Sequence, residues 1–281
     1  LKPYPRFITP NFEPFDVVEL VRETERIVVR SGPHGQERKY ESFYCVGVYG
    51  GIATGYSVGC CLRCVFCWVS WSRDFPEKFG SFYSPEEAFK RLKDVALKRG
   101  INKLRISGAE PTLGKEHLLG LLEHVENSEF PLFILETNGI LFGIDKDYVR
   151  RISKFTKPHV RVSLKAGTPE AFTWKTGAKP EAFEIPFQAI RNLLDYNVSF
   201  HVAAMSADPR IMTTEERKSL ALKLAEIDPK LLLSLEEEVI DPYDTTVARL
   251  KHAGLKIEWP LKQIYTPIKE QLKKQTNFYG A

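Results

Sequence analysis

From residue 52 to residue 250 short β-prone runs alternate with amphipathic helical stretches, and that alternation leaves few folds open. The β-prone runs fall at 52–58, 103–106, 132–136, 160–164, 198–204 and 231–235, with a further candidate at 255–259. Between them lie apolar stripes of helical period. Ser84-Pro85-Glu86-Glu87 is a capping box with proline at the first helical position, followed by Ala88, Leu92, Val95 and Ala96 on one face and Gly100 as the stop. Leu118, Leu119, Leu122 and Val125 stripe a second helix, 145–155 reads as a third, and Phe187, Ile190 and Leu194 mark a fourth. Thr213 and Glu216 box a fifth, and Val247 to Leu250 lie in a last one closed by Gly254. Repeated βα units specify a parallel sheet with helices outside it, and about six units fall short of an eightfold barrel. The expected fold is α/β, a partial (β/α)6 barrel.

The flanks read differently. Prolines 3, 5, 10 and 14 predict an extended start, a short helix follows over 16–26, and 26–30 with 40–48 predict a β-hairpin around Ser31-Gly32-Pro33-His34-Gly35. The chain thus divides into an N-terminal β-hairpin extension (1–48), the barrel (49–260) and a C-terminal tail (261–281) carrying Tyr265, Lys269, Lys273, Lys274, Phe278 and Tyr279. That tail is read as an ordinary amphipathic segment, with a cap on the open side of the barrel or a contact with RNA as the alternatives. At 281 residues, 43% hydrophobic and 27% charged, the composition is that of a folded globular protein and excludes a disordered or fibrous chain. No apolar run approaches the ~18 residues of a membrane helix. The N-terminus is too rich in proline and charge for a signal peptide, so a cytoplasmic location with no membrane partner is expected. A net charge of +4 does not by itself argue for a nucleic-acid partner.

Four of the five cysteines sit in Gly59-Cys60-Cys61-Leu62-Arg63-Cys64-Val65-Phe66-Cys67-Trp68. Cys60, Cys64 and Cys67 stand at C-x3-C-x2-C. Three thiolates from one loop suit an iron–sulfur cluster whose fourth iron is left open to another molecule. Cys61, Cys64 and Cys67 also read as C-x2-C-x2-C, which with Cys45 allows a closed zinc or iron–sulfur site in a protein that is no enzyme. A disulfide framework does not fit an odd, tightly clustered set.

With Phe66 just before its third cysteine, the loop resembles that of the radical S-adenosylmethionine (SAM) superfamily. Ser107-Gly108-Ala109-Glu110-Pro111-Thr112 resembles that family's Gly-Gly-Glu-Pro segment, with Ala109 in place of the second glycine. Glu136-Thr137-Asn138-Gly139 resembles its Thr-Asn-Gly. The resemblance implies a partial barrel, a [4Fe–4S] cluster on Cys60, Cys64 and Cys67, and SAM chelated at the open iron. It further implies a SAM pocket formed by Phe66, Gly108, Ala109, Glu110, Asn138, Ser163 and Lys165. Alternation puts His201, Ala203 and Met205 on one face of their strand, where they border the adenosine if that face points into the barrel. An electron donor such as ferredoxin or flavodoxin would reduce the cluster, and the 5′-deoxyadenosyl radical would take hydrogen from a substrate.

Two subfamilies offer substrates. Ser163-Leu164-Lys165, Thr168-Pro169-Glu170 and Lys175-Thr176-Gly177 are similar to a stretch of the glycyl-radical-enzyme activases, which implies a protein glycine as substrate. Cys64-Val65-Phe66-Cys67-Trp68 and Val162-Ser163-Leu164 are similar to the wybutosine-pathway enzyme, which implies tRNA, with Arg150, Arg151, Lys154, Lys157 and Arg161 as phosphate contacts. Glu236-Glu237-Glu238 reads as a solvated acidic loop or as a face for a cationic substrate, and no cysteine follows Cys67.

Overall fold

A computed structural model describes residues 3–278 and the side chains of residues 3–273. Helix α1 (Val17–Val28) starts where Asp16 Oδ1 accepts from the backbone of Val18 and Glu19, and it buries Val17, Leu20, Val21, Thr24 and Val28. This helix takes up residues 26–28, expected in the hairpin. Val28 continues the buried stripe of Val21 and Thr24, so helical packing outweighs its β preference. Strands β1 (Val29–Gly32) and β2 (Gly35–Val46) then form the hairpin, with His34 exposed at its tip.

Strand β3 (Ile52–Ser57) pairs antiparallel with β2, and β4 (Ser81–Tyr83) pairs with the other side of β2. From β3 onward the sheet is parallel, through β5 (Lys103–Gly108), β6 (Leu132–Thr137), β7 (Pro158–Leu164), β8 (Phe200–Ala204) and β9 (Glu236–Glu237). The order β1-β2-β3-β5-β6-β7-β8-β9 does not close on itself, so the sheet is an open part of a barrel. The crossovers carry α2 (Pro85–Arg99), α3 (Lys115–Glu126), α4 (Ile140–Ile144), α5 (Lys146–Ile152), α6 (Pro169–Thr176), α7 (Ile185–Asp195) and α8 (Thr214–Ile227). Helices α9 (Asp244–His252) and α10 (Ile268–Phe278) follow β9. The expected capping box is formed: Ser84 N donates to Glu87 Oε2 at 2.8 Å, and Glu87 N donates back to Ser84 Oγ at 3.2 Å.

The two sheet faces differ in chemistry. Leu104, Ile106, Phe133, Leu135, Val160, Val162, Val202 and Ala204 are fully or almost fully buried on the face that the helices cover. On the other face Arg105, Ser107, Glu136, Arg161, Ser163 and Glu236 are polar. A parallel sheet buried on both faces would be apolar throughout. Alternation here marks the inner wall of a cavity.

Several expectations need correction. Residues 231–235 are not a strand: Asp228 caps a 3-10 turn, Pro229–Leu232, and the strand that pairs with β8 comes later, as β9. Residues 255–259 join no sheet, although Trp259 packs under the Arg210 guanidinium, which also donates to Glu258 O at 2.8 Å. Helix α4 was not foreseen, and the helix expected over 145–155 forms as Lys146–Ile152, capped by Asp145 and ended at Ser153. The tail packs beside β9: Ile268 N donates to Glu237 Oε2 at 2.6 Å and Arg217 Nη2 to Thr266 O at 2.8 Å, while Lys269 and Lys273 are exposed. Tyr279 lies outside the described residues, as do the side chains of Lys274 and Phe278.

Candidate active site

At the C-terminal ends of the parallel strands the cysteine loop folds over a cavity that opens to solvent. Cys60, Cys64, Phe66 and Cys67 line it from the loop, Ser107 to Pro111 from the end of β5, and Glu136, Thr137 and Asn138 from the end of β6. Arg161, Ser163 and Lys165 line it from β7, joined by Met205, Glu238, Trp68 and Arg73. The loop is held from behind by α6, where Arg63 N donates to Thr176 O at 2.8 Å and Val65 N to Lys175 O at 2.9 Å.

Gly108 has φ +95°, and a Cβ there would stand 3.0 Å from both Ser57 N and Ser57 O. Only glycine lets the strand end turn this close to β3. Ala109 N then donates to Ser57 O at 3.1 Å and Glu110 N to Gly59 O at 3.0 Å, which fixes this segment against the start of the cysteine loop. The Glu110 carboxylate is buried and ties two strand ends together: it accepts from Thr112 N and Oγ1, from Thr137 Oγ1 at 2.7 Å and from Asn138 N at 2.9 Å. Asn138 Oδ1 accepts from Ile140 N at 3.0 Å, and its Nδ2 points at the sulfurs of Cys61 and Cys60, 3.4 and 3.6 Å away.

The thiols are not equivalent. Leu62 N donates to Cys60 Sγ at 3.4 Å, and hydrogen bonding from Cys61 draws the Cys60 thiol down to about 7 against its burial. Burial pushes Cys64 up to about 12 and Cys61 well above the ordinary thiol value. Cys61 is fully buried and does not line the cavity. Among the described residues no three Cys, His, Asp or Glu side chains converge on a point that one metal ion would occupy. Of the four cysteines that the zinc alternative needs, Cys61 and Cys45 do not line the cavity, and Cys45 on β2 has its thiol directed at Val46 O. Cys60, Cys64 and Cys67 line one cavity, and three thiols from one loop are a donor set that suits an iron–sulfur cluster.

The inner wall beneath is a run of ion pairs. Arg105 Nη1 donates to Glu136 Oε1 at 3.0 Å, and Arg161 Nη2 reaches Glu236 at 2.8 Å and Glu238 at 2.7 Å. Ser163 Oγ donates to Glu238 Oε2 at 3.4 Å and accepts from Lys165 Nζ. The Glu236 carboxyl is held down to about 2 by its bonds to His201 and Arg161. His201 does not line the cavity: it lies opposite Arg161 on β8, bonded to His159 at 2.7 Å and Glu236 at 2.9 Å. The acidic run is therefore no solvated loop, since Glu236 and Glu238 serve the inner wall and Glu237 bonds Arg217 and Ser206 on the other side. The basic run also separates: Arg161 is on the inner wall, Arg150 pairs with Asp147, Arg151 with Glu116, and Lys157 bonds backbone carbonyls. Arg73, Arg249 and Thr246 went unread in the sequence. An Arg-Asp pair just beyond the loop, and an arginine within the apolar stripe of α9, were the available signals.

The sequence model of the radical SAM superfamily matches residues 55–224, and the chain belongs to that superfamily. It is a radical SAM enzyme, and the cofactors of the family are a [4Fe–4S] cluster and SAM. A probable GTP 3′,8-cyclase of Methanococcus vannielii is 26% identical over 219 residues, covering 77% of this chain and 64% of that protein. The GTP 3′,8-cyclase of Desulforamulus reducens is 33% identical over 118 residues, 40% of this chain and 33% of its own. The chain thus spans less than two thirds of the length of these relatives. Among solved structures, anSMEcpe with bound AdoMet aligns with TM-score 0.53 and 20% identity over 79% of this chain and 58% of its own. SuiB of Streptococcus suis aligns with TM-score 0.52 and 15% identity over 80% of this chain and 46% of its own. At these identities the likeness is one of fold. No described helix is long and apolar enough to cross a membrane.

Proposed function

We propose that the chain cleaves SAM reductively at a cluster held by Cys60, Cys64 and Cys67 and uses the radical to remove hydrogen from a substrate seated on the inner wall. The observation that carries this is the shared cavity: the three thiols line it together with Gly108, Ala109, Glu110, Asn138, Ser163 and Lys165. When bound, the cluster supplies one electron to SAM, and the 5′-deoxyadenosyl radical follows. The residues of the chain do the rest. Phe66 and Gly108 to Glu110 flank the place for the methionine part, and Lys165, bonded to Ser163, offers a cation to its carboxylate. The loop and the strand ends together keep water from the radical. A one-electron donor such as ferredoxin or flavodoxin completes the system.

For the substrate, the wall formed by Arg161 and Glu238 favours a polar group with both donors and acceptors. GTP is the first small molecule to test, because the curated relatives carry the name GTP 3′,8-cyclase. The likeness of residues 163–177 to the activases supports a protein glycine as the second reading. For tRNA, Arg150 and Arg151 stay on the surface, paired with Asp147 and Glu116, while Arg161 of the same basic run faces the inner wall.

The test is anaerobic reconstitution with iron and sulfide, then SAM and dithionite, and chromatography for 5′-deoxyadenosine. Its formation, lost in Cys60→Ala, is the expected result. An intact, reducible cluster that yields none, with GTP, deuterated protein and tRNA each supplied, refutes the proposal. Deuterium transferred into 5′-deoxyadenosine identifies which substrate reacts.

A further inference from the structure

Behind the loop, the backbone carbonyl of each cavity-lining cysteine is taken by a different arginine. Arg63 Nη1 donates to Cys60 O at 2.6 Å, Arg73 Nη1 to Cys64 O at 2.7 Å, and Arg249 Nη1 to Cys67 O at 2.6 Å. These guanidiniums come from inside the loop, from just beyond it and from α9, yet all three arginines are buried, at 1%, 1% and 2% exposure. Arg249 also donates to Val69 O and to Ser70 O at 2.9 Å, and Thr246 Oγ1 adds a bond to Cys67 O at 3.2 Å.

Their counter-charge is sparse. Asp74 pairs with both Arg73 and Arg249. The partners of Arg63 are carbonyls of Pro5, Cys60 and Leu62 and the ring of Tyr4, and its Nη2 is buried with no hydrogen-bond partner. Three fixed cations therefore stand behind the cysteines against the one carboxylate of Asp74. Arginine keeps its proton when buried, so the charge persists where a lysine would tend to lose it.

We propose that Arg63, Arg73 and Arg249 act as positioning residues that hold the three cysteine backbones and raise the reduction potential of the cluster; this rests on the reading that Cys60, Cys64 and Cys67 ligate it. One electron from the donor makes the cluster one unit more negative, with no bond made or broken in the protein. Positive charge held nearby in a medium of low dielectric favours that reduced form, and charge near the cluster is a recognised lever on its potential. The carbonyl bonds also turn three peptide dipoles to defined directions, so the charge and the geometry are set by the same groups.

The test compares reconstituted parent, Arg249→Gln, Arg249→Lys and Asp74→Asn proteins by iron content and by redox titration followed with the electron paramagnetic resonance signal of the reduced cluster. Arg249→Gln removes charge and keeps a donor, and its midpoint is expected to move to more negative potential. Arg249→Lys, whose buried ammonium tends to lose its proton, is expected to fall between the parent and Arg249→Gln. Asp74→Asn removes the shared counter-charge and is expected to move the midpoint the opposite way. Potentials equal to the parent at full iron content overturn the proposal, and so does a shift of the same sign for Arg249→Gln and Asp74→Asn, which marks lost packing alone. Should Arg249→Gln fail to fold, Arg63→Gln takes its place in the same comparison. A parent protein that takes up no iron refutes the cluster reading itself, a result distinct from a cluster whose potential does not move.

Discussion

Replacing Glu110 with glutamine changes one oxygen to an amide and leaves the volume of the side chain almost unchanged. In the native protein both carboxylate oxygens are acceptors: Oε1 takes Thr112 N, Thr112 Oγ1 and Thr137 Oγ1, and Oε2 takes Asn138 N. Glutamine can keep its oxygen toward the threonines, but its NH2 then meets the Asn138 N–H, donor against donor. An unsatisfied buried donor costs about 1–3 kcal/mol, and the three remaining bonds weaken by about 1 kcal/mol each once the acceptor is neutral. Relief from burying a charge offsets part of this, and the net expectation is a destabilisation of about 2–4 kcal/mol. For a chain of this size that is a fall in melting temperature of roughly 5–15 °C. Urea denaturation of the metal-free protein measures it without reference to activity. A change below about 0.5 kcal/mol, the range of ordinary surface substitutions, refutes the claim that Glu110 fastens β5 to β6.

The cysteines separate by position. Cys61→Ala is expected to retain the reconstituted iron content and 5′-deoxyadenosine yield, while alanine at Cys60, Cys64 or Cys67 abolishes the yield; equal losses at Cys60 and Cys61 would shift the ligand register to Cys61. Stability should also fall on mild acidification through His117, whose buried ring bonds Tyr40 Oη at 2.9 Å and Gln36 O at 3.2 Å and whose pKa burial lowers to about 3. The unfolded chain takes up this proton near pH 6.5 and the folded one near 3, so the contribution is whole above about 6.5 and declines as pH falls toward 3. Between pH 6.5 and 4.5 the parent should lose roughly 2–3 kcal/mol more than His117→Gln, at up to about 1.4 kcal/mol per pH unit; matched urea titrations with equal losses would refute it.

The strand-and-helix alternation made the parallel sheet legible, because β5 and β7 carry a period-two pattern and β6 and β8 are short apolar runs set between helical stripes. Two elements were misread where local chemistry intervened. Asp228 and Pro229 turn the Leu231 run into a 3-10 segment, and Val28 joins a helix because its burial depends on Thr24 and Val21 one and two turns away. In the site, the motif residues gathered as their order implied, since each sits at the end of an adjacent strand. His201 did not line the cavity. Alternation gave its face correctly, but it lies too far from the strand end, level with Arg161. The partner of Arg249 was illegible for another reason: the side chain meets Cys67 across 182 residues, and no local pattern encodes that contact.

The ion-paired inner wall has a mechanical consequence. Arg105 with Glu136, and Arg161 with Glu236 and Glu238, satisfy one another along the surface of the sheet and need no partner from across the cavity. A hollow lined by leucine would gain stability by collapsing, whereas these charges would have to shed their hydration to do so. The half-barrel is therefore propped open by its own lining, and an incoming ligand finds a shaped space without first having to force the two sides apart.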